Sequence, residues 1–148
     1  MLEIADTYGA NRLGATAADV FAAIITDRAF RSDTPRIAQS IAAAGAPSYA
    51  YEFAWSSGIE GLGACHVLEV PFVFDALAGA HTLTGPNPPQ PLADEIHSAW
   101  VAFAASGDPG WARFEENSRL AQIFDSPESR VVSDPRGDEL AAPRKSVA

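Results

Sequence analysis

The sequence has 148 residues, the length of one typical domain, and 47% are hydrophobic, which is enough for a core and too many for a disordered chain. The net charge is −9, and residues 37–112 contain seven acids and no Lys or Arg, which argues against nucleic acid because phosphate contacts require basic groups. No apolar run approaches the ~20 residues needed to span a membrane, and residues 1–6 lack the basic segment of a signal peptide, so cytoplasm is the expected location.

Two amphipathic helices are predicted in the first third of the chain. Thr16 and Asp19 form a capping box ahead of apolar residues at helical spacing, which predicts a helix over 17–30. A second helix is expected to begin at Pro35, because proline is favoured at the first helical position, and to end at Gly45.

Residues 48–55 change to the period of a strand, since aromatic residues alternate with alanines and Glu52. If the face that carries Glu52 is covered, this carboxylate needs a partner. A single strong strand cannot form a sheet, and only two short β-like segments follow, at 120–124 and 130–132. The pattern therefore predicts an α/β chain that forms a single partial domain over 1–148.

The second half of the chain contains shorter predicted elements. Residues 67–77 indicate a short helix and turn, and the Pro- and Gly-rich residues 79–91 indicate a surface loop. A third helix is expected over about 92–106, with acidic residues in its first turn. Residues 134–148 are charged and Ala-rich, which predicts a frayed tail.

His66 is the candidate catalytic residue, because a Gly-rich turn can aim its ring while a scaffold holds the loop. Position alone, however, favours an ordinary loop histidine, and it makes Glu69 an ordinary exposed loop acid. His66, His81 and His97 form no metal-ligand spacing, so no metal site is expected.

Neither of two possible nucleophiles is well supported by the residues. Cys65 is the only cysteine, which excludes an internal disulfide. It adjoins His66, but neighbouring side chains in an extended segment point to opposite faces, so a Cys65-dependent hydrolase is the weaker hypothesis. The Gly-x-Ser-x-Gly motif of a serine nucleophile occurs nowhere in the sequence.

Several stretches resemble, in the same order, the type-B carboxylesterases, which are cholinesterase-like serine hydrolases; bacterial para-nitrobenzyl esterases look most similar. The segment around His66, residues 61–74 (GLGACHVLEVPFVF), resembles the family's catalytic-histidine segment. The other matching stretches are 26–31 (TDRAFR), 49–53 (YAYEF), 100–104 (WVAFA) and 129–132 (SRVV). Together they extend the similarity over roughly 15–140.

The resemblance implies the C-terminal portion of an α/β-hydrolase fold, with helices and the last strands of the sheet. It implies a Ser-Glu-His triad in which His66 is the base, and it makes Glu69 a buried acid near the site. The implied parent hydrolyses small-molecule carboxylic esters with no metal and no organic cofactor. The triad serine and acid have no match here, so we expect the chain alone to be inactive.

Two non-catalytic roles remain as alternatives. The chain is either an interaction module or one half of a split esterase. Both hypotheses are based on the strand at 48–55, because its edges need hydrogen-bonding partners. The expected partner is then an N-terminal hydrolase half, or a second copy bound through the strand edge. Nucleic acid and membrane are not expected partners.

Overall fold

A small sheet with helices on both faces forms the part of the chain described by the computed structural model, residues 2–141, with side chains from residue 4. The strands are Ala50–Phe53 (β1), Leu120–Phe124 (β2) and Arg130–Ser133 (β3). The α-helices are Leu2–Ala10 (α1), Ala17–Ala29 (α2), Thr34–Ala43 (α3), Val70–Val73 (α4), His81–Thr84 (α5), Gln90–Ser106 (α6) and Gly137–Ala141 (α7). None of these helices has both the length and the apolar character needed to cross a membrane.

The three strands lie in the order β1-β2-β3. β1 is parallel to β2, with Ala50 opposite Ala121 and Phe53 opposite Phe124, whereas β2 and β3 are antiparallel. Within residues 2–141, the second edge of β1 has no strand beside it. The sheet is therefore the small, partial one that the strand pattern predicted.

The aromatic face of β1 packs on the main core. The Phe72 ring in α4 lies 5.0 Å from that of Phe53 and 5.1 Å from that of Trp55, centroid to centroid. Helix α6 covers this cluster with the buried side chains of Leu92 and Ile96. The burial of large apolar groups here is the main stabilising term of the fold.

The opposite face of β1 carries Glu52 between alanines and is partly covered, and Glu52 has the partners there that a covered face requires. The Arg136 guanidinium lies 2.5 Å from the Glu52 carboxylate, and that of Arg31 lies 3.9 Å from it. The Glu52 side chain is largely buried, so the two arginines compensate its charge where water cannot.

Helices α1 and α7 were not expected from the sequence. Glu139 in α7 is buried and accepts hydrogen bonds from Arg12 and Asn11, which lie just beyond α1. Residues 137–141 thus form a helix where we expected fraying, because the Glu139 carboxylate is paired with Arg12 inside the molecule. Residues 134–136 are also tied to the fold, by ion pairs of Asp134 with Arg119 and of Arg136 with Glu52, and residues 142–148 lie outside the described residues.

Helix α5 also differs from expectation, since it occupies residues that were predicted as loop. The predicted helices at 17–30, from Pro35 and at 92–106 are confirmed as α2, α3 and α6, and α6 begins two residues earlier than expected. The capping box of Thr16 and Asp19 is present at the start of α2.

Candidate active site

His66 lies on an exposed loop that follows the carboxyl end of β1. Its nearest ring neighbour is Phe30, whose centroid is 6.4 Å away with 14° between the ring planes. Within residues 4–141, neither imidazole nitrogen has a hydrogen-bond partner. Both nitrogens are thus available for proton transfer, and the contact of the ring with Phe30 is a stacking one.

Hydrogen bonds to helix α5 hold the start of this loop. The Ser57 hydroxyl donates to the Leu83 carbonyl at 2.7 Å, and the Gly58 N–H donates to the Thr84 carbonyl at 2.9 Å. The Ser57 N–H also donates to the Gly63 carbonyl at 3.0 Å, which closes the loop on itself. The Gly-rich segment is therefore an ordered turn.

The backbone directly after His66 is strained. Val67 has a φ of +62°, in the left-handed region where a β-branched side chain is disfavoured. Leu68, the next residue, is fully buried, and its N–H donates to the Cys65 carbonyl at 3.2 Å. This tight turn over residues 65–68, anchored by the buried Leu68 side chain, holds the backbone at His66 in one conformation.

Glu69 is half-buried. Its burial is therefore intermediate between the exposed position that the sequence position alone favours and the buried position that the resemblance implies. It lines a cavity of about 390 Å³ together with Phe30, Arg31, Tyr51 and Glu52. Burial raises the pKa of the Tyr51 hydroxyl, and the nearby Glu69 carboxylate raises it further. Glu69 and Phe30, the residue that stacks on His66, therefore line the same cavity.

The remaining candidate residues lie apart from one another. Cys65 is a partly buried free thiol, and no hydrogen bond joins it to His66 within residues 4–141. His81 is exposed on α5, whereas Nδ1 of His97 lies 2.8 Å from the Val73 carbonyl oxygen and so joins α6 to α4. Across the described side chains, no group of three or more potential ligands is placed to hold a metal ion.

A family comparison decides where this chain belongs. The model of the carboxylesterase family matches residues 3–134, most of the chain. The chain belongs to the carboxylesterase family. It is 32% identical over 103 residues to the para-nitrobenzyl esterase of Bacillus subtilis (strain 168), covering 64% of this chain and 21% of that protein. It is 34% identical over 97 residues to the phenmedipham hydrolase of Pseudarthrobacter oxydans, covering 61% of this chain and 20% of that protein.

Solved structures support the same family and its fold. A carboxylesterase of Geobacillus stearothermophilus matches 97% of this chain with a TM-score of 0.82 and 32% identity, over 32% of its own length. A thermophilic PNB esterase matches 93% of this chain with a TM-score of 0.71 and 27% identity, over 30% of its own length. This carboxylesterase-family chain thus adopts part of an α/β-hydrolase fold and spans about a fifth of the curated relatives.

Three residues of the site were missed by the sequence reasoning, although all lie in the 26–31 stretch that carries the resemblance. Asp27 is buried, Arg31 forms an ion pair with it, and Phe30 stacks on His66. The spacing of Asp27 and Arg31, four residues apart at the end of a predicted helix, indicates an ion pair. The sequence carries no signal for the contact between Phe30 and His66, because it joins distant segments.

Proposed function

We propose that this chain supplies the general base, His66, to a carboxylic ester hydrolase whose nucleophilic serine and triad acid lie outside these 148 residues. The observation that carries the proposal is an exposed imidazole held after the carboxyl end of a parallel strand, where α/β folds usually bind ligands. The family match and the resemblance of residues 61–74 support the same role.

The proposed chemistry is acyl transfer in two steps. His66 removes the hydroxyl proton of the serine as its oxygen attacks the ester carbonyl carbon, and then delivers that proton to the departing alcohol. Water attacks the acyl-serine in the same way, which releases the acid. One imidazole nitrogen handles these protons while the other donates to the triad acid. The free state of both His66 nitrogens within the described residues is compatible with these two tasks.

The chain alone is expected to lack esterase activity, because a base without a nucleophile cannot form an acyl-enzyme. The purified chain should neither be labelled by a fluorophosphonate probe nor hydrolyse p-nitrophenyl butyrate. Stoichiometric labelling, together with turnover that His66→Ala abolishes, would overturn this part of the proposal.

A chimera tests the role of His66 directly. The C-terminal segment of the Bacillus subtilis para-nitrobenzyl esterase is replaced by this chain, and hydrolysis of p-nitrophenyl butyrate is measured. His66→Ala should lower kcat by at least about 10³-fold, as expected for loss of a triad base. His81→Ala is the matched control, since His81 is also an exposed histidine, and it should leave kcat unchanged. An active chimera that tolerates His66→Ala would contradict the proposal.

The free edge of β1 favours a second candidate, the complementing half of a split esterase. The test mixes this chain with the N-terminal segment of the para-nitrobenzyl esterase, supplied as a separate polypeptide, and follows association by sedimentation velocity. A one-to-one complex with esterase activity supports complementation. Self-association of this chain alone would instead support an interaction module.

A further inference from the structure

Phe30 is largely exposed to solvent, although its ring stacks on that of His66. Its side chain is 73% exposed, yet its ring lies nearly parallel to that of His66, at a centroid distance of 6.4 Å. Offset stacking at this distance is a favourable arrangement for two flat rings. The exposed phenyl group therefore has a specific contact, which is with the candidate base.

The backbone of Phe30 is fixed at the end of helix α2. Phe30 is the C-cap residue, and its N–H donates to the Thr26 carbonyl at 3.0 Å. The next residue, Arg31, forms an ion pair with the buried carboxylate of Asp27 and also approaches Glu52 in β1. Bonds on both sides of Phe30 thus fix its backbone, whereas His66 lies on a loop.

We propose that Phe30 is a positioning residue for His66, with its phenyl ring holding the imidazole in the orientation needed for proton transfer. This inference rests on the proposed function, in which His66 is the base. The turn formed by Val67 and Leu68 orders the backbone beside His66, but it leaves the imidazole free to turn about its side-chain bonds. Phe30 restricts that rotation, since the stacked ring favours one plane.

The ring contact is tested by NMR of the histidine side chains in this chain. Phe30→Leu should remove the ring-current shift of the His66 ring protons and leave those of His81 and His97 in place. Phe30→Tyr should restore the shift, because it keeps the aromatic ring. Phe21→Leu is the matched control, since Phe21 lies on the same helix and is 65% exposed. Unchanged His66 signals in Phe30→Leu, or equal changes in Phe21→Leu, would overturn the inference.

The catalytic consequence is measured in the para-nitrobenzyl esterase chimera. Phe30→Leu should lower kcat by about two- to tenfold, the range expected from losing one stacking contact, with KM unchanged. Phe30→Tyr should recover kcat, and Phe21→Leu should match the wild type. A chimera that needs His66 but has the same kcat with Phe30→Leu would overturn this inference alone. A chimera as active with His66→Ala would overturn the proposed function as well.

Discussion

The hydroxyl of Tyr8 donates a hydrogen bond of 2.9 Å to the carboxylate of Asp27, which joins helix α1 to helix α2. Both side chains are buried, and Asp27 also pairs with Arg31. Since Arg31 follows Phe30 directly, the same carboxylate supports the residue that stacks on His66. Helices α1 and α2 are thus linked to the candidate site through the Asp27 carboxylate.

Replacing Asp27 should lower the stability of the fold, because its carboxylate is 2% exposed and compensates the charge of the partly buried Arg31 guanidinium. Asp27→Asn should lower the free energy of unfolding by about 2–3 kcal/mol, the loss expected when one partner of a buried pair is removed. Urea unfolding monitored by circular dichroism measures it. Asp6→Asn, at an exposed position on α1, is the control, and equal losses in the two variants would contradict the burial argument.

Stability should fall at alkaline pH through Tyr8. Burial, with the hydrogen bond to Asp27, raises the pKa of the Tyr8 hydroxyl well above its ordinary value of about 10. A group whose folded pKa is raised contributes stability that is complete below its unfolded pKa and is lost as pH rises toward the folded pKa.

The corresponding measurement compares unfolding free energies of the wild type and Tyr8→Phe between neutral pH and pH ~11. The wild type should be the more stable protein at neutral pH, and its advantage should shrink above pH ~10, where the unfolded tyrosine ionises. Tyr51 is present in both proteins, so its own titration largely cancels in the difference. An advantage that stays constant with pH would be inconsistent with a buried Tyr8 hydroxyl.

Phe72 and Phe74 provide a matched test of the core below the His66 loop. Phe72 is fully buried against Phe53 and Trp55, whereas Phe74 is 71% exposed. Phe72→Ala should lower the unfolding free energy by about 3–5 kcal/mol through the lost burial and the cavity left behind. Phe74→Ala should change it by less than about 0.5 kcal/mol. Similar effects of the two substitutions would mean that α4 is not packed as described.

The absence of a side chain at Gly85 allows the backbone of the loop before His66 to pack closely against it. A Cβ atom at Gly85 would lie 2.8 Å from the carbonyl carbon of Gly58, and the φ of Gly85 is +75°. Gly85→Ala therefore combines a steric clash with backbone strain, whereas Gly61→Ala, with a φ of +77° and open space around it, adds strain alone.

Thermal denaturation distinguishes the two glycine variants. Gly61→Ala should cost about 1–2 kcal/mol, the penalty of a left-handed alanine, and Gly85→Ala should cost distinctly more. In the chimera, Gly85→Ala should also lower kcat, because the shifted loop moves His66. Equal Tm values for the two variants would show that the Gly58–Gly85 contact does not constrain the loop.

Local chemistry explains what could be predicted from the sequence. The capping box of Thr16 and Asp19 starts α2, and Pro35 marks the start of α3, because these signals act within one turn of helix. The alternating pattern at 48–55 correctly identified β1 and the need of Glu52 for a partner. The ordered resemblance also identified the family, and the comparisons confirm it.

Contacts between distant segments decided the rest. The sequence by itself determined the main helices and the strand pattern, since these depend on neighbouring residues. Its resemblance to known carboxylesterases identified the family and predicted His66 as the base. Only the tertiary structure buried Glu139 and Asp27, turned the expected frayed tail into α7 over 137–141, and brought Phe30 onto His66. Burial and ring stacking depend on which segments pack against each other. The packing of the whole fold determines these contacts, and no local sequence pattern does.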